Sequence, residues 1–172
     1  RLMDGLKEMG LDKDTIVVVW GDHGWKLGEH GSWCKQTNYN IDTRVPLLIR
    51  VPGKYQAGAK CSQLTELVDL YPTLCDLAGI DIPENMEGVS LKPMLKDMNR
   101  ALKSAIFSQY HQRPRSTLDG KRYMGYSMKT ERFHYVEWFH WDNDRKLKGD
   151  LVAVELYDNQ SDPDENVNIA VY

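Results

Sequence analysis

Cysteine is scarce in this chain: three residues in 172, at Cys34, Cys61 and Cys75. An odd number permits at most one internal bridge, which excludes a disulfide framework, and no spacing resembles a zinc ribbon. Cys61 and Cys75 are expected as buried free thiols. Excess charge of one sign is also missing, since 22 Lys and Arg face 25 Asp and Glu for a formal net charge of −3. That excludes the strongly basic face of a nucleic-acid binder. An anionic sugar is still admissible, because a metal and a few cations can hold it by a local field. No apolar run is long enough to span a bilayer, no stretch reads as a signal peptide, and no internal repeat is evident. What is present is ordinary globular composition, 41% hydrophobic with both charge signs abundant, enough for one sizeable core or a domain with a small appendage.

The stretch that organises the rest is residues 17–35, VVVWGDHGWKLGEHGSWCK. A β-branched run ends at Gly21 and is followed at once by a carboxylate and an imidazole, Asp22 and His23. A buried parallel strand ends this way where its carboxyl edge opens into a ligand crevice. At such a junction the pleat is lost, so neighbouring side chains can turn to one ion. Asp22 and His23 are therefore candidate metal ligands, the rival being an exposed Asp-His turn with no ion. Glu29, His30 and Lys35 follow, interleaved with Trp25 and Trp33. Trp25 is read either as a wall for a sugar or as core, and His30 as a tie to backbone carbonyls in preference to a donor to substrate. By itself Lys35 reads as an exposed lysine at a helix start.

Leu2, Leu6 and Met9 recur at helical spacing and predict a helix over residues 1–9, leading into a strand at 15–20. A second strand is expected at 45–51, ended by Pro52 and Gly53. Arg44, just before it, is expected in a structural salt bridge. Asp69 should cap a helix whose buried stripe is Leu70, Leu74 and Leu77 and whose end is Gly79; Ser90 should cap another short helix running through Leu95. Segments 105–110, 123–129, 133–139 and 152–157 are short, aromatic-rich and separated by turn-like residues, which predicts an antiparallel sheet of about four strands with a hairpin at 130–132. His134 and His140 fall in that strand pattern and are expected to be structural. Asn159 opens an Asn-x-Ser sequon compatible with secretion.

The segment GDHGWKLGEHGSWCK resembles the second metal-binding segment of the sulfatase family, in the alkaline phosphatase superfamily, most nearly its iduronate-2-sulfatase branch. Ordered blocks along the chain agree: TRVPLLIRVPG at 43–53, LVDLYPTLCDLAGI at 67–80, SQY at 108–110, RYMGYSMKTERFHYVEW at 122–138 and ELYDNQSDPDEN at 155–166. The family's Cys-x-Pro/Ala-x-Arg motif, whose cysteine becomes the formylglycine nucleophile, and its Asp-Asp metal pair have no counterpart here. The resemblance thus implies the carboxyl-terminal part of a sulfatase, carrying half of an active site. The implied fold is α/β: the end of an alkaline-phosphatase-like parallel or mixed sheet with helices over residues 1–100, then a small α+β subdomain with the antiparallel sheet over 101–172.

The resemblance further implies that Asp22 and His23 hold a divalent ion, calcium rather than zinc, although an imidazole suits zinc equally and calcium prefers oxygen. It implies that Lys35 contacts the sulfate ester as a catalytic, substrate-binding cation, with Trp25 and His111 at the substrate. The implied partners are a sulfated carbohydrate and the amino-terminal part bearing the nucleophile; the implied compartment is periplasmic, secreted or lysosomal. Segments 112–121 and 141–149 match the family least and are expected to set specificity. Two rivals stand beside a sulfatase of glycosaminoglycan-like sugars: a zinc phosphodiesterase or phosphonate hydrolase of the same superfamily, and a non-catalytic light chain or scaffold.

Overall fold

A computed structural model describes residues 1–112 and 117–170. In chain order the elements are α1 (Leu2–Glu8), β1 (Val17–Trp20), β2 (Lys26–Leu27), a 3₁₀ turn (Glu29–Gly31), β3 (Trp33–Cys34), α2 (Asn40–Thr43), β4 (Leu47–Arg50), a 3₁₀ turn (Leu67–Asp69), α3 (Leu70–Ala78), α4 (Lys92–Lys96), β5 (Ile106–Gln112), β6 (Tyr123–Lys129), β7 (Phe133–Asp142) and β8 (Leu147–Asp158). They form two compact units, one of residues 1–22, 45–63 and 67–102, the other of residues 23–44, 64–66 and 103–172.

In the first unit β1 pairs with β4 alone, antiparallel, Val17 opposite Arg50 and Trp20 opposite Leu47. Apolar β-branched composition predicts a strand covered on both faces, yet Val19 and Trp20 are about half exposed, at 55% and 52%. Composition marks the strand but says nothing of pairing direction, and the described residues supply it with one neighbour only. The core lies instead around α3 and α4, where Cys75, Leu77, Leu91 and Met94 are buried.

Helix α3 departs from its expected stripe. Leu74 is exposed, while Pro72 and Thr73 are buried with Cys75 and Leu77. The buried face is fixed by polar bonds that hydrophobic spacing does not register: the Thr73 hydroxyl donates to the Asp69 carbonyl at 2.5 Å and accepts the Leu91 amide at 2.8 Å. Asp69 makes no side-chain cap. Its backbone is already helical in the preceding turn, and its carboxylate accepts the Val89 amide at 2.9 Å. Gly79 ends the helix in the left-handed conformation, with the Ile80 amide on the Cys75 carbonyl at 2.9 Å. The N-cap of α4 is Leu91 rather than the expected Ser90, whose hydroxyl accepts the Lys92 amide at 3.2 Å from one position earlier and donates to Asp76 at 2.7 Å. Cys61 is exposed rather than buried.

The second unit is built on a four-stranded antiparallel meander, β5-β6-β7-β8. Tyr123–Lys129 and Phe133–Asp142 form the expected hairpin, closed by the Thr130 amide on the Phe133 carbonyl at 2.8 Å. The next hairpin is longer than predicted: β7 and β8 run through most of segment 141–149, pairing Trp141 with Lys148 and Asp142 with Leu147. The polar residues there sit on exposed strand, where charged side chains are tolerated on the wet face. Val136, Phe139 and Tyr157 are buried, and Ser108 and Ser127, cross-strand partners, share a hydrogen bond at 2.7 Å. Gly125 is required in β6, because a Cβ there would lie 2.7 Å from the Trp138 ring and 2.3 Å from Asn38 Nδ2. Of the other poorly matching segment, residues 113–116 lie outside the described residues.

Candidate functional site

Asp22 is exposed and closes the first stretch of one unit; His23, half-buried, begins the other. From His23 to Arg44 the chain folds on itself within its unit. Gly24 makes this possible, since its amide donates to the Asp42 carbonyl at 2.8 Å and a Cβ on it would lie only 1.8 Å from the Ile41 carbonyl oxygen. The short β2-β3 ribbon, pairing Lys26 with Cys34 and Leu27 with Trp33, then returns the chain so that Lys35 comes back beside His23.

The Lys35 ammonium hydrogen-bonds His23 Nε2, and His23 Nδ1 lies 2.8 Å from the Gly24 carbonyl. A carbonyl only accepts, so Nδ1 carries the ring proton and the Nε2 lone pair faces the ammonium. The Trp25 indole, half exposed, lies 6.2 Å from the imidazole, ring centre to ring centre. His23, Trp25 and Lys35 are thus brought together. Two non-glycine residues with left-handed backbone flank Lys35, Cys34 at φ 69° and Gln36 at φ 103°, the kind of local strain that persists where surrounding structure enforces it. His111 is carried by β5, its ring stacked on Tyr110 with centroids 5.3 Å apart. The neighbouring Gln112 side-chain amide donates to the Gln36 carbonyl at 3.2 Å, which lays the end of β5 against the Lys35 segment.

Two supports beneath this loop were not foreseen. Lys26 is wholly buried and its ammonium pairs with Asp42, whose Oδ2 also accepts the Thr37 amide at 2.9 Å and the Thr37 hydroxyl at 2.5 Å. The chain between these partners is the stretch that carries Lys35. The second support is Glu165, buried beside His134 with Oε1 2.7 Å from Nδ1; it also accepts the Asn40 amide at 2.7 Å and the Asn159 side-chain amide at 2.9 Å. Burial pushes the Glu165 carboxyl up, but these hydrogen bonds outweigh it and hold the group below its ordinary value. Burial and the nearby Glu155 raise the hydroxyls of Tyr39 and Tyr157 in the same region. A lysine, an aspartate and a glutamate scattered over 140 residues carry no motif; only the alternation of β7, which turns His134 inward, hinted at this core.

His30, whose backbone is left-handed at φ 54°, stacks on Tyr39, ring centres 3.9 Å apart and 7° from parallel, and among the described residues its ring is not hydrogen-bonded to a carbonyl. Arg44 is exposed and forms no ion pair among the described residues. Asn159 is half-buried, its amide occupied by Lys129 and Glu165, so the sequon is not a free acceptor in this fold.

Residues 28–171 match the family model described as N-sulphoglucosamine sulphohydrolase, C-terminal. The iduronate 2-sulfatase of Mus musculus is 30% identical, over 98% of this chain and 40% of its own length. A structure described as a complex with its substrate D-glucosamine-2-N,6-O-disulfate superimposes with a TM-score of 0.80 and 32% identity, over 98% of this chain and 32% of that one. The phosphonate monoester hydrolase of Agrobacterium radiobacter superimposes with a TM-score of 0.79 and 28% identity, over 99% and 34%. The chain therefore spans well under half the length of the curated relatives it matches. These neighbours share the alkaline-phosphatase-like architecture. The chain belongs to the sulfatase family and corresponds to its carboxyl-terminal part.

Proposed function

We propose that this chain is the carboxyl-terminal part of an enzyme that hydrolyses sulfate esters of sulfated sugars, with the formylglycine nucleophile and the remaining metal ligands on a preceding part of the same enzyme. The observation that carries this reading is the Lys35 ammonium, inside the family match, held at His23 just ahead of it. A fixed cation there stabilises charge that develops on the ester oxygens as the bond to sulfur breaks. The Gly24 carbonyl accepts from Nδ1 and fixes the imidazole plane, which turns Nε2 toward Lys35. Trp25 offers an apolar face against a sugar ring.

A carboxylate next in sequence to an imidazole supplies the donor chemistry of part of a divalent-cation site, at which His23 Nε2 would exchange its Lys35 hydrogen bond for the ion; among the described residues no group of three or more His, Cys, Asp or Glu gathers to complete one. Asp22 and His23 would hold the ion, calcium in this reading, which when bound neutralises a sulfate oxygen. Among the described residues no helix is long and apolar enough to cross a membrane. By itself the chain is expected to show no turnover.

The resemblance to a phosphonate monoester hydrolase supports a second reading, phosphonate or phosphate diester hydrolysis at the same residues. Peptide mapping of the parent protein for a formylglycine, together with rates on a sulfated monosaccharide and on a phosphonate monoester in calcium, separates the two. Sulfate turnover with formylglycine is the result expected. Phosphonate turnover alone, from a serine or threonine nucleophile, overturns the sulfatase reading.

A further inference from the structure

At the β7-β8 end of the second unit an open groove of about 490 Å³ is lined by Lys121, Arg122, Trp141, Asp142, Arg145 and Lys148. Four permanent cations face one carboxylate in a chain whose net charge is −3. The pairs that neutralise them are loose: Arg145 lies 3.8 Å from Asp142, and Lys121 lies 3.9 Å from Asp119, outside the lining. No carboxylate pairs with Arg122 or Lys148 among the described residues, and the Lys148 ammonium rests 4.0 Å from the centre of the Phe139 ring. Trp141 adds a half-exposed indole.

The groove is placed by sheet register. Gln112, Tyr123 and His140 lie side by side across β5, β6 and β7. Gln112 is hydrogen-bonded to Gln36, next to Lys35, while His140 lines the groove. At about 4.8 Å per strand the groove wall stands roughly 10 Å across the sheet from the strand end that touches the Lys35 segment. Both features belong to one unit.

We propose that this groove is a second anion subsite, which takes another sulfated or carboxylated sugar residue of the same glycan whose sulfate ester meets Lys35. The cations read the anionic groups, and the indole stacks on a ring face. The assignment rests on the sulfated-sugar reading for its ligand class, and it makes the preferred substrate an oligosaccharide.

The test uses the parent protein, the exposed double variant K121E/R145E and W141A. Calorimetry measures binding of a heparin-derived tetrasaccharide, the same tetrasaccharide desulfated but retaining its carboxylates, and a sulfated monosaccharide. Both variants should bind the sulfated tetrasaccharide about tenfold or more weakly and the monosaccharide within about twofold. KM for the tetrasaccharide should rise while kcat on the monosaccharide is unchanged. If the variants' deficit vanishes on the desulfated tetrasaccharide the groove reads sulfates, and if the deficit persists it reads carboxylates. Undiminished tetrasaccharide binding by the charge-reversed variant overturns the proposal. So does a single-stranded oligonucleotide that binds as tightly with the same dependence on Lys121 and Arg145, which would mark an unselective polyanion patch. A parent protein that hydrolyses no sulfate ester would overturn the reading of the Lys35 site, and the binding comparison would still decide the groove.

Discussion

Replacing Lys26 with methionine keeps most of the side-chain volume and removes an ammonium that has no contact with water. Asp42 is then left buried, with Thr37 as its remaining side-chain partner and with Oδ1 already lacking a hydrogen bond. Breaking a buried ion pair from one side costs about 3–5 kcal/mol, and the two Thr37 donors place this case near 3. With a urea slope of about 1–3 kcal/mol per M the unfolding midpoint falls by about 1 M or more. Removing both charges in K26M/D42L should recover much of the loss, although the Thr37 donors then lack an acceptor at a cost of about 1–3 kcal/mol. The assay is urea unfolding of the parent protein, K26M, D42L and K26M/D42L, followed by tryptophan fluorescence, and the double-mutant cycle should give about 1–3 kcal/mol of coupling. A K26M variant that loses less than about 1 kcal/mol, or a cycle without coupling, would refute the view that this pair braces the Lys35 loop.

Three further outcomes are expected. Gly24→Ala should abolish turnover of the parent protein and lower its melting temperature, since the added carbon would meet the Ile41 carbonyl at 1.8 Å; wild-type kcat in that variant would contradict the packing. Glu165 is depressed in the folded state, so the stability it contributes is full above the ordinary carboxylate value of about 4.5 and is lost as pH falls through its lower folded value. Glu165→Gln should flatten that acid limb of the stability profile, and an unchanged limb would place the titration elsewhere. Arg132 grips Asp158 through two bonds, at 3.0 and 2.7 Å, and holds its carboxyl at about 2. An NMR titration should find that midpoint, and Arg132→Ala should return it toward the ordinary range; a midpoint near 4 in the unsubstituted protein would contradict the contact.

What could be read in advance followed locality. The hairpin at 130–132, the glycine stop at Gly79 and the existence and order of the four aromatic strands are short-range signals, and the structure contains them. The stretch from Gly21 to Lys35 also reads locally, since a two-strand ribbon suffices to return Lys35 to His23. Longer-range features escaped. Lys26 and Asp42 are 16 positions apart, and a lysine beside a tryptophan reads as solvated until the fold buries it. Asp69 looked like a cap because a cap would explain it, but its carboxylate reaches 20 positions ahead to Val89. The β7-β8 hairpin ran past its predicted ends because exposed strand can be polar on its wet face, which mimics loop composition.

The role given to Lys35 is tested most directly by kcat/KM of the parent enzyme and its Lys35→Ala variant on a sulfated monosaccharide, in calcium. Loss of a fixed cation at the reacting ester should lower kcat/KM by about 10²–10³-fold, with the loss mainly in kcat. Equal rates in the two proteins would contradict it.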